Sequence, residues 1–188
     1  MPPDYFSELT KELDDDVCFF WTGNQVLSQD INIADIKKAE KFTRSRLALW
    51  DNYPVNDGKK ISAYLFTAPF KGRNTLSYLK DFTHAVNPMC EGLLSTAPLS
   101  SLPLIYQHAD AKQIQNAWDH EGQILFGKNF DKFKPYLEKL QTQGLDAIDR
   151  FEKQKLKSLC LETNTAAASE LLDFLNGKYA FDPQCLTS

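Results

Sequence analysis

The sequence LALWDNYPVND, residues 47–57, contains the pattern that decides the fold. Residues 47–50 are all apolar, as expected for a strand of a parallel sheet that is buried on both faces, and the polar run after them marks the end of that strand. In parallel α/β proteins, the loops at the carboxyl ends of the strands carry the ligand-binding residues. The stretch therefore predicts both a parallel sheet and a site at one edge of it.

Two further apolar segments, residues 17–21 and residues 85–87, predict strands on either side of this one, and an amphipathic helical pattern precedes each strand. This alternation favours an α/β fold. The apolar positions of the three helices are Phe6, Leu9 and Leu13, then Ile33, Ile36 and Phe42, then Leu76, Leu79 and Phe82. Pro3 is expected in the first turn of the first helix, and Asn32 as the N-cap of the second. The rest of the chain predicts two short helical pieces between residues 93 and 108, a helical hairpin that bends at Gly144, and a last helix over residues 165–176.

Residues suited to binding a sugar follow each predicted strand. Aromatic rings offer flat apolar surfaces to a sugar ring or a methyl group, a carboxylate accepts two hydroxyl hydrogen bonds, and asparagine both donates and accepts. Asp-Asn, Tyr-Pro and Asn-Asp-Gly are also common turn formers, so composition alone leaves a plain turn as the alternative. The candidate residues are Trp21, Thr22, Trp50, Asn52, Tyr53, Asp57 and Asn87.

The composition is that of an ordinary globular protein, with 188 residues, 43% apolar residues and a net charge of −4. This charge gives no reason to expect a nucleic acid as partner, and no apolar run approaches the roughly 20 residues that cross a membrane. No signal peptide is visible, so we expect a cytoplasmic protein, unless a preceding segment changes its location. The cysteines (Cys18, Cys90, Cys160 and Cys185) do not cluster with one another or with histidines, which predicts buried free thiols and neither a metal site nor a cofactor.

Four motifs carry a resemblance to a known protein family. They are WDNYPVND at residues 50–57, FWTG at residues 20–23, APFKGR at residues 68–73 and NPM at residues 87–89. Together they resemble family 84 glycoside hydrolases, the group of O-GlcNAcases and bacterial hyaluronidase-like β-N-acetylglucosaminidases. The resemblance implies that residues 1–127 are the last three βα units of a (β/α)8 TIM-type barrel, and that residues 128–188 are a helical C-terminal extension with an irregular tail.

The resemblance also implies roles for individual residues. Trp50 is expected to line the pocket for the N-acetyl methyl group, and Asn52 to help order the acetamide. Asp57 is expected to hold the outer hydroxyls of the terminal sugar, and Asn87 to contact a ring hydroxyl. The pocket wall is expected to include Trp21, Thr22 and Tyr53, and the nearby loop to be held by Lys71 and Arg73.

The family's mechanism is substrate-assisted, because the acetamide oxygen of the sugar itself attacks the anomeric carbon while two adjacent aspartates orient it and act as general acid and base. That pair follows an earlier barrel strand. The acidic run at residues 14–16 precedes a strand and is therefore expected at the rim opposite the active site. We expect no catalytic residue in this chain and no hydrolysis by it alone.

A complete barrel of this type needs about 250 residues, so we expect either a chain that begins late or a second chain that completes the barrel. The expected substrate is an N-acetylglucosamine-containing glycan or glycoprotein. Two non-catalytic alternatives stay open at this point. One is a carbohydrate-binding module, and the other is a protein-interaction module built on the helices of residues 129–176.

Overall fold

A computed structural model gives the structure of the protein and describes residues 5–14, 16–43, 46–79 and 82–184. The chain forms two compact units, each assembled from segments that are separated in the sequence. The first unit comprises Met1–Tyr53, Lys71–Asn87 and Ile105–His108, and the second comprises Pro54–Phe70, Pro88–Leu104 and Ala109–Ser188. The predicted boundary between residues 127 and 128 falls inside the second unit, and the division into a barrel part and an extension stays a prediction.

Three parallel strands form the sheet of the first unit, in the order β1-β2-β3. The elements up to the third strand are α1 (Tyr5–Leu9), β1 (Cys18–Trp21), α2 (Ile33–Thr43), β2 (Arg46–Asp51), a 3₁₀ helix (Asn74–Tyr78) and β3 (Thr83–Val86). Trp21 lies opposite Leu49 in the strand register, and Trp50 lies opposite Ala85. The predicted α/β class and parallel sheet are confirmed, whereas the assignment of these strands to the last three units of a barrel stays a prediction.

The helix predicted before β3 is wrong in type and length. The structure has a 3₁₀ helix of five residues there, which contains Leu76 but neither Leu79 nor Phe82. These three apolar residues are spaced three apart, which matches the three-residue turn of a 3₁₀ helix better than the 3.6-residue turn of an α-helix. Such helices are short, and this one ends at Tyr78.

The ends of the first two helices agree in part with the sequence patterns. The predicted N-cap of α2 is confirmed, because Asn32 Oδ1 accepts a hydrogen bond of 2.9 Å from the backbone N–H of Asp35. Helix α1 ends at Leu9, so Leu13 lies outside it, and Pro3 lies outside the described residues.

The two faces of the sheet differ in exposure. One face carries the core of the first unit, formed by Ile31, Ile36, Leu47, Leu49 and Leu76, with Trp21 among the residues packed against it. Because strand side chains alternate, Phe20 and Trp50 point to the other face, where their side chains are 61% and 40% exposed and their rings meet edge to face at 5.5 Å. Within the described residues, β1 and β3 each pair with β2 alone. The expectation that residues 47–50 are buried on both faces is confirmed for residues 47–49 and wrong for Trp50, whose side chain lies on the exposed face. In β1, exposed and half-buried residues alternate.

After β3 the chain is helical. The elements are α3 (Thr96–Leu99), α4 (Leu102–Tyr106), α5 (Ala111–Phe126), a 3₁₀ helix (Gly127–Asn129), α6 (Phe130–Thr142), a 3₁₀ helix (Leu145–Ala147), α7 (Arg150–Thr163) and α8 (Ala166–Leu175). The two short pieces, the hairpin that bends at Gly144 and the last helix are confirmed. The apolar patterns of the sequence do not single out α5, although Asp110 and Gln113 form a capping box at its start.

The second unit has its own apolar core, built mainly by α5 to α8. The rings of Phe126 and Phe133 stack there with centroids 4.3 Å apart, and Leu140 and Leu156 are fully buried nearby in the same cluster. Gly122 on α5 lets the ring of Phe130 lie close to the helix backbone, because a Cβ atom at this position would lie 2.0 Å from that ring. This unit therefore owes its packing to facing helices rather than to the sheet.

The cysteines agree in part with the expectation of buried free thiols. Cys18, Cys90 and Cys160 are free, but only Cys160 is buried. Cys18 is exposed because it lies on the edge strand β1, and Cys90 because it lies in the loop after β3. Cys185 lies outside the described residues. In the part of the chain that is described, no helix has the length and apolar character needed to cross a bilayer.

Candidate functional site

Three of the predicted sugar-contacting residues form one hydrogen-bonded network at the carboxyl ends of β2 and β3. Asn52 Oδ1 accepts from Trp50 Nε1 at 2.9 Å and from Asn87 Nδ2 at 3.1 Å. Asn52 Nδ2 donates to the carbonyl of Val26 at 2.8 Å, which ties the network to the loop after β1. The backbone N–H of Asn87 donates to the carbonyl of Asp51 at 2.9 Å and continues the pairing of the two strands. Within the first unit, Trp50, Asn52 and Asn87 are therefore brought together.

A buried ion pair lies next to this network in the sequence, on the other face of β2. Asp51 is 2% exposed, and both of its carboxylate oxygens accept from the guanidinium of Arg73, Oδ2 from Nε at 2.8 Å and Oδ1 from Nη2 at 2.7 Å. His84 Nε2 lies 3.0 Å from Oδ2, and the backbone N–H of Tyr53 donates to Oδ1 at 3.1 Å. Burial alone raises the pKa of the Asp51 carboxyl, but the hydrogen bonds from Arg73 and His84 outweigh it and hold the pKa below its ordinary value.

The remaining donors of Arg73 hold two loops. Nη1 donates to the carbonyls of Gln29 at 2.7 Å and Lys71 at 3.0 Å, and Nη2 donates to the carbonyl of Ser28 at 2.9 Å. Gly72 permits this close approach, since its φ is +67° and a Cβ atom there would lie 2.5 Å from the Gln29 carbonyl oxygen. The expectation that Arg73 holds a loop is confirmed. Lys71 contributes to the same contact through its backbone carbonyl.

His84 joins the ion pair to helix α4. Its Nδ1 lies 2.7 Å from the hydroxyl of Tyr106, while its Nε2 faces Asp51. Burial, followed by the nearby charge of Asp51, raises the pKa of Tyr106 to about 12, so the phenol stays protonated at neutral pH. His84 thus connects the carboxylate of Asp51 with the hydroxyl of Tyr106.

A second polar cluster lies in the second unit, around the residue before Asp57. The side chain of Asn56 is buried and uses both of its polar ends. Its Nδ2 donates to Glu91 Oε2 at 2.7 Å and to the carbonyl of Tyr64 at 3.0 Å, and its Oδ1 accepts from the backbone N–H of Cys90 at 2.9 Å. Asp57 itself is exposed. Burial, followed by the charge of Glu91 and then that of Asp57, raises the pKa of the Cys90 thiol, which places the Asp57 carboxylate near Cys90.

The groups of the first unit define what its network can bind. An indole face and two asparagine amides are groups that recognise apolar, hydroxyl and amide groups of a neutral ligand. The exposed carboxylate of Asp57, in the second unit, is by itself a group that accepts hydroxyl hydrogen bonds. Among the described residues, no group of three or more His, Cys, Asp or Glu side chains is placed to hold a metal ion. The buried titratable groups Asp51 and Glu91 are instead bonded to protein donors.

Comparison with known proteins identifies the family. A family model described as "beta-N-acetylglucosaminidase" (NAGidase) matches residues 2–139, which is most of the chain. The chain belongs to this β-N-acetylglucosaminidase family. The resemblance to family 84 glycoside hydrolases that the four motifs carry is thereby confirmed.

Individual relatives of this chain are longer proteins. Protein O-GlcNAcase from Rattus norvegicus is 34% identical over 71 residues, which cover 38% of this chain and 8% of that protein. The values for Protein O-GlcNAcase from Mus musculus are the same. An O-GlcNAc hydrolase mutant from Thermobaculum terrenum has a similar structure, with a TM-score of 0.67, 21% identity, and coverage of 94% of this chain and 44% of that one. For a solved protein titled CpGH84B, the TM-score is 0.62 at 21% identity, with coverage of 94% and 37%. The chain thus spans less than half the length of either solved protein, and the likeness to them shows the fold.

The other predicted site residues of the chain are divided between the two units. Trp21 packs against the core of the first unit, and Thr22 and Tyr53 are half-buried in that unit. Asp57 belongs to the second unit, so its convergence with Trp50 and the two asparagines stays a prediction. The roles of all these residues in a sugar pocket also stay predictions.

Sequence reasoning missed two buried carboxyl groups, one in each unit. Asp51 stands inside the motif at residues 50–57, and the alternation of strand side chains puts it on the face opposite to Trp50, but nothing in the sequence identifies Arg73 as its partner. A carboxylate within an apolar strand is the one signal that could have found it, because a buried charge requires a partner. Glu91 offers no comparable signal, since it follows β3 in a loop of mixed composition.

Proposed function

We propose that this chain is part of a retaining β-N-acetylglucosaminidase that hydrolyses terminal β-linked N-acetylglucosamine by substrate-assisted catalysis. In this proposal the chain supplies residues of the sugar pocket. Family membership supports the reaction class, and the Trp50–Asn52–Asn87 network supports the place of the site. The observation that carries the proposal is that these three side chains meet at the carboxyl ends of two parallel strands, where barrel enzymes bind their ligands.

The hydrogen bonds of the network support the division of roles within it. The only donor of the Trp50 side chain is bonded to Asn52, so the half-exposed indole offers the ligand an apolar face, which suits the N-acetyl methyl group. Asn52 holds Trp50 and Asn87 in place through one oxygen and in this way orders the acetamide end of the pocket. Asn87 donates one hydrogen bond to Asn52, which leaves its Oδ1 to accept a ring hydroxyl.

Asp57 completes the pocket in this proposal by holding the outer hydroxyls of the sugar. Its exposed carboxylate can accept two hydroxyl hydrogen bonds at once. In this proposal the pocket wall is formed by Thr22 and Tyr53, together with Trp21 at the end of β1, whose ring packs against the core of the first unit. A site with several such polar groups discriminates against analogues that lack the matching hydroxyls, because the protein groups are then left unpaired.

We further propose that the sheet is the last part of a (β/α)8 barrel over residues 1–127, and that residues 128–188 are an extension of it. The parallel strand order and the exposed aromatic pair of Phe20 and Trp50 support this, since a barrel interior is filled by side chains from neighbouring strands. Within the described residues β1 and β3 each pair with β2 alone, which supports completion by further strands, from the same protein or from a second chain.

The catalytic aspartate pair lies outside this chain in our proposal. Asp14 and Asp16 are exposed and precede β1, at the end of the strand opposite to Trp50 and Asn52. Acid and base groups must reach the glycosidic oxygen within hydrogen-bond distance, and these two carboxylates face the wrong rim. The chain by itself is therefore expected to bind the sugar without hydrolysing it. The natural substrate would be a glycan or glycoprotein with terminal N-acetylglucosamine, which agrees with the names of the relatives.

Sugar binding and hydrolysis by the purified chain test the proposal together. We expect N-acetylglucosamine to shift the amide NMR signals around Trp50 in a saturable way, glucose to have a much smaller effect, and an aryl N-acetylglucosaminide to stay intact. Asn87→Ala should weaken binding about tenfold, since a lost hydrogen bond costs about 1–1.5 kcal/mol. Asn116→Ala, at an exposed position on α5, is the matched control and should bind as the wild type does.

Two results would contradict the proposal. Equal effects of N-acetylglucosamine and glucose, or none from either, would remove the sugar pocket. Turnover of the aryl glycoside by a monomeric sample, at a rate typical of complete enzymes, would show that the catalytic groups are in this chain after all.

A further inference from the structure

The loop that carries Asp57 is fixed from inside the second unit by a pair of buried polar side chains. Asn56 is 1% exposed and Glu91 is 0% exposed, and their side chains are joined by a hydrogen bond of 2.7 Å. The other two bonds of Asn56 reach the carbonyl of Tyr64 and the backbone N–H of Cys90. The Asn56 side chain therefore links its own loop to Tyr64, eight residues away, and to the segment at residues 90–91, more than 30 residues away.

The surroundings of Glu91 are unfavourable for a carboxyl group. Its Oε1 is buried without a hydrogen-bond partner among the described residues, while Oε2 accepts from Asn56. Burial raises the pKa of Glu91 above its ordinary value, although the hydrogen bond from Asn56 lowers it, and the charge of Glu170 adds to the rise. The other titratable groups that interact with Glu91 electrostatically are Cys90 and Tyr179, and neither of them is a cation that would offset the effect of burial.

Burying a polar group without full hydrogen bonding destabilises the folded state. An apolar residue at position 91 would remove that cost, and the bond to Asn56 with it. The Asn56–Glu91 pair therefore stabilises the fold less than apolar side chains at these positions would. The backbone that the pair holds in place explains it better. What it holds is the backbone at Asn56, the residue directly before Asp57.

We propose that Asn56 and Glu91 are positioning residues for Asp57. The pair fixes the backbone that presents the Asp57 carboxylate, and so sets which arrangement of outer hydroxyls the carboxylate can accept. The sugar part of this proposal rests on the proposed function, because Asp57 is a sugar ligand only there. The positioning of the loop rests on the contacts in the second unit alone.

Glu91 variants separate positioning from general stability. Glu91→Gln keeps the acceptor oxygen for Asn56, whereas Glu91→Ala removes it. The measured quantities are the affinities for N-acetylglucosamine and for N-acetylgalactosamine, which differ in the configuration of one outer hydroxyl, and the hydrogen exchange of the Cys90 amide. This amide reports on the pair directly, since it is bonded to Asn56 Oδ1. Glu138→Gln, at an exposed position on α6, is the matched control.

We expect the wild type, E91Q and E138Q to prefer N-acetylglucosamine by about tenfold, as one well-made hydrogen bond provides. E91A should lose most of this preference and exchange its Cys90 amide at least tenfold faster, while a merely destabilised protein would bind both sugars more weakly with the ratio unchanged. If E91A fails to fold, the same measurements are made on Glu91→Asp. The shorter side chain draws the carboxyl away from Asn56 and should give the same changes to a smaller extent.

The possible failures can be told apart. A wild type that binds neither sugar refutes the proposed function, and the exchange of the Cys90 amide then decides the positioning by itself. The positioning role is overturned if the wild type binds with the expected preference and E91A or E91D keeps both this preference and the slow exchange of the Cys90 amide. The proposed function then still stands.

Discussion

Replacement of Asp51 by asparagine removes the negative charge from the buried ion pair and changes almost nothing else in size. The carboxylate accepts two hydrogen bonds from Arg73 and one from the backbone of Tyr53, and it faces His84. An asparagine side chain keeps one acceptor oxygen, but an NH₂ group replaces the second oxygen. This NH₂ group would face N–H donors that the carboxylate now accepts from. Arg73 is 3% exposed and would be left as a buried cation without a counter-ion.

The expected cost follows from this geometry. Breaking a buried ion pair by removing one partner costs about 3–5 kcal/mol, and the remaining acceptor oxygen places Asp51→Asn near the lower end. For a protein of this length each kcal/mol lowers Tm by about 2–4 °C, so a fall of about 6–12 °C is expected. Because the pKa of Asp51 is lowered in the folded state, this stability is present above the ordinary carboxyl pKa and is lost as pH falls through the folded-state value.

Urea unfolding at pH 7, followed by circular dichroism, measures the cost. The matched control is Asp173→Asn, which breaks an ion pair with Lys178 in which both side chains are largely exposed, and which should cost less than about 1 kcal/mol. The double variant Asp51→Asn with Arg73→Met should recover part of the loss, because the unpaired cation is gone. A cost for Asp51→Asn no larger than that of the control would refute the idea that a buried Asp51–Arg73 pair stabilises the fold.

Two further predictions concern the second unit. Gly122→Ala should lower the free energy of unfolding by about 1–3 kcal/mol, because the added Cβ would overlap the Phe130 ring. Gly92→Ala is the control and should change this free energy little, because no atom lies within 4 Å of the added Cβ. Equal free energies of the two variants in urea unfolding would contradict the prediction. Since the pKa of Glu91 is raised by burial, the wild type should lose stability relative to E91Q as pH rises from the ordinary glutamate value of 4.5 toward the folded-state value, by at most about 1.4 kcal/mol per pH unit. Parallel pH profiles of the two proteins in the same unfolding assay would show that Glu91 is not buried as a neutral acid.

The sequence predicts the elements whose signals are local. The apolar run at residues 47–50 and the cap at Asn32 depend on neighbouring residues, so β2 and the start of α2 follow from the pattern. The 3₁₀ helix before β3 is harder to predict, because apolar residues three apart are compatible with both kinds of helix over a short stretch. The exposure of Phe20 cannot be read locally at all, since it depends on which strands pair with β1.

The residues of the candidate site likewise fall into those that local sequence patterns predict and those that they do not. Trp50, Asn52 and Asn87 were found because polar and aromatic residues follow strands, and parallel strands bring their carboxyl ends together. The partners of Asp51 could not be found, because Arg73 is 22 residues away in the sequence and is brought close only by the fold. The pairing of Asn56 with Glu91 spans 35 residues and has no periodic pattern at all.

The amide group of Asn52 leaves little freedom for evolutionary change. Aspartate there would keep the oxygen that serves the indole and the second asparagine, but it would set a carboxylate oxygen against the carbonyl of Val26, where an N–H now donates. Alanine would abandon all three bonds. No other amino acid reproduces the combination, so drift at position 52 requires a compensating rearrangement of the backbone near residue 26. These two stretches should therefore diverge together, or not at all, when related sequences are aligned.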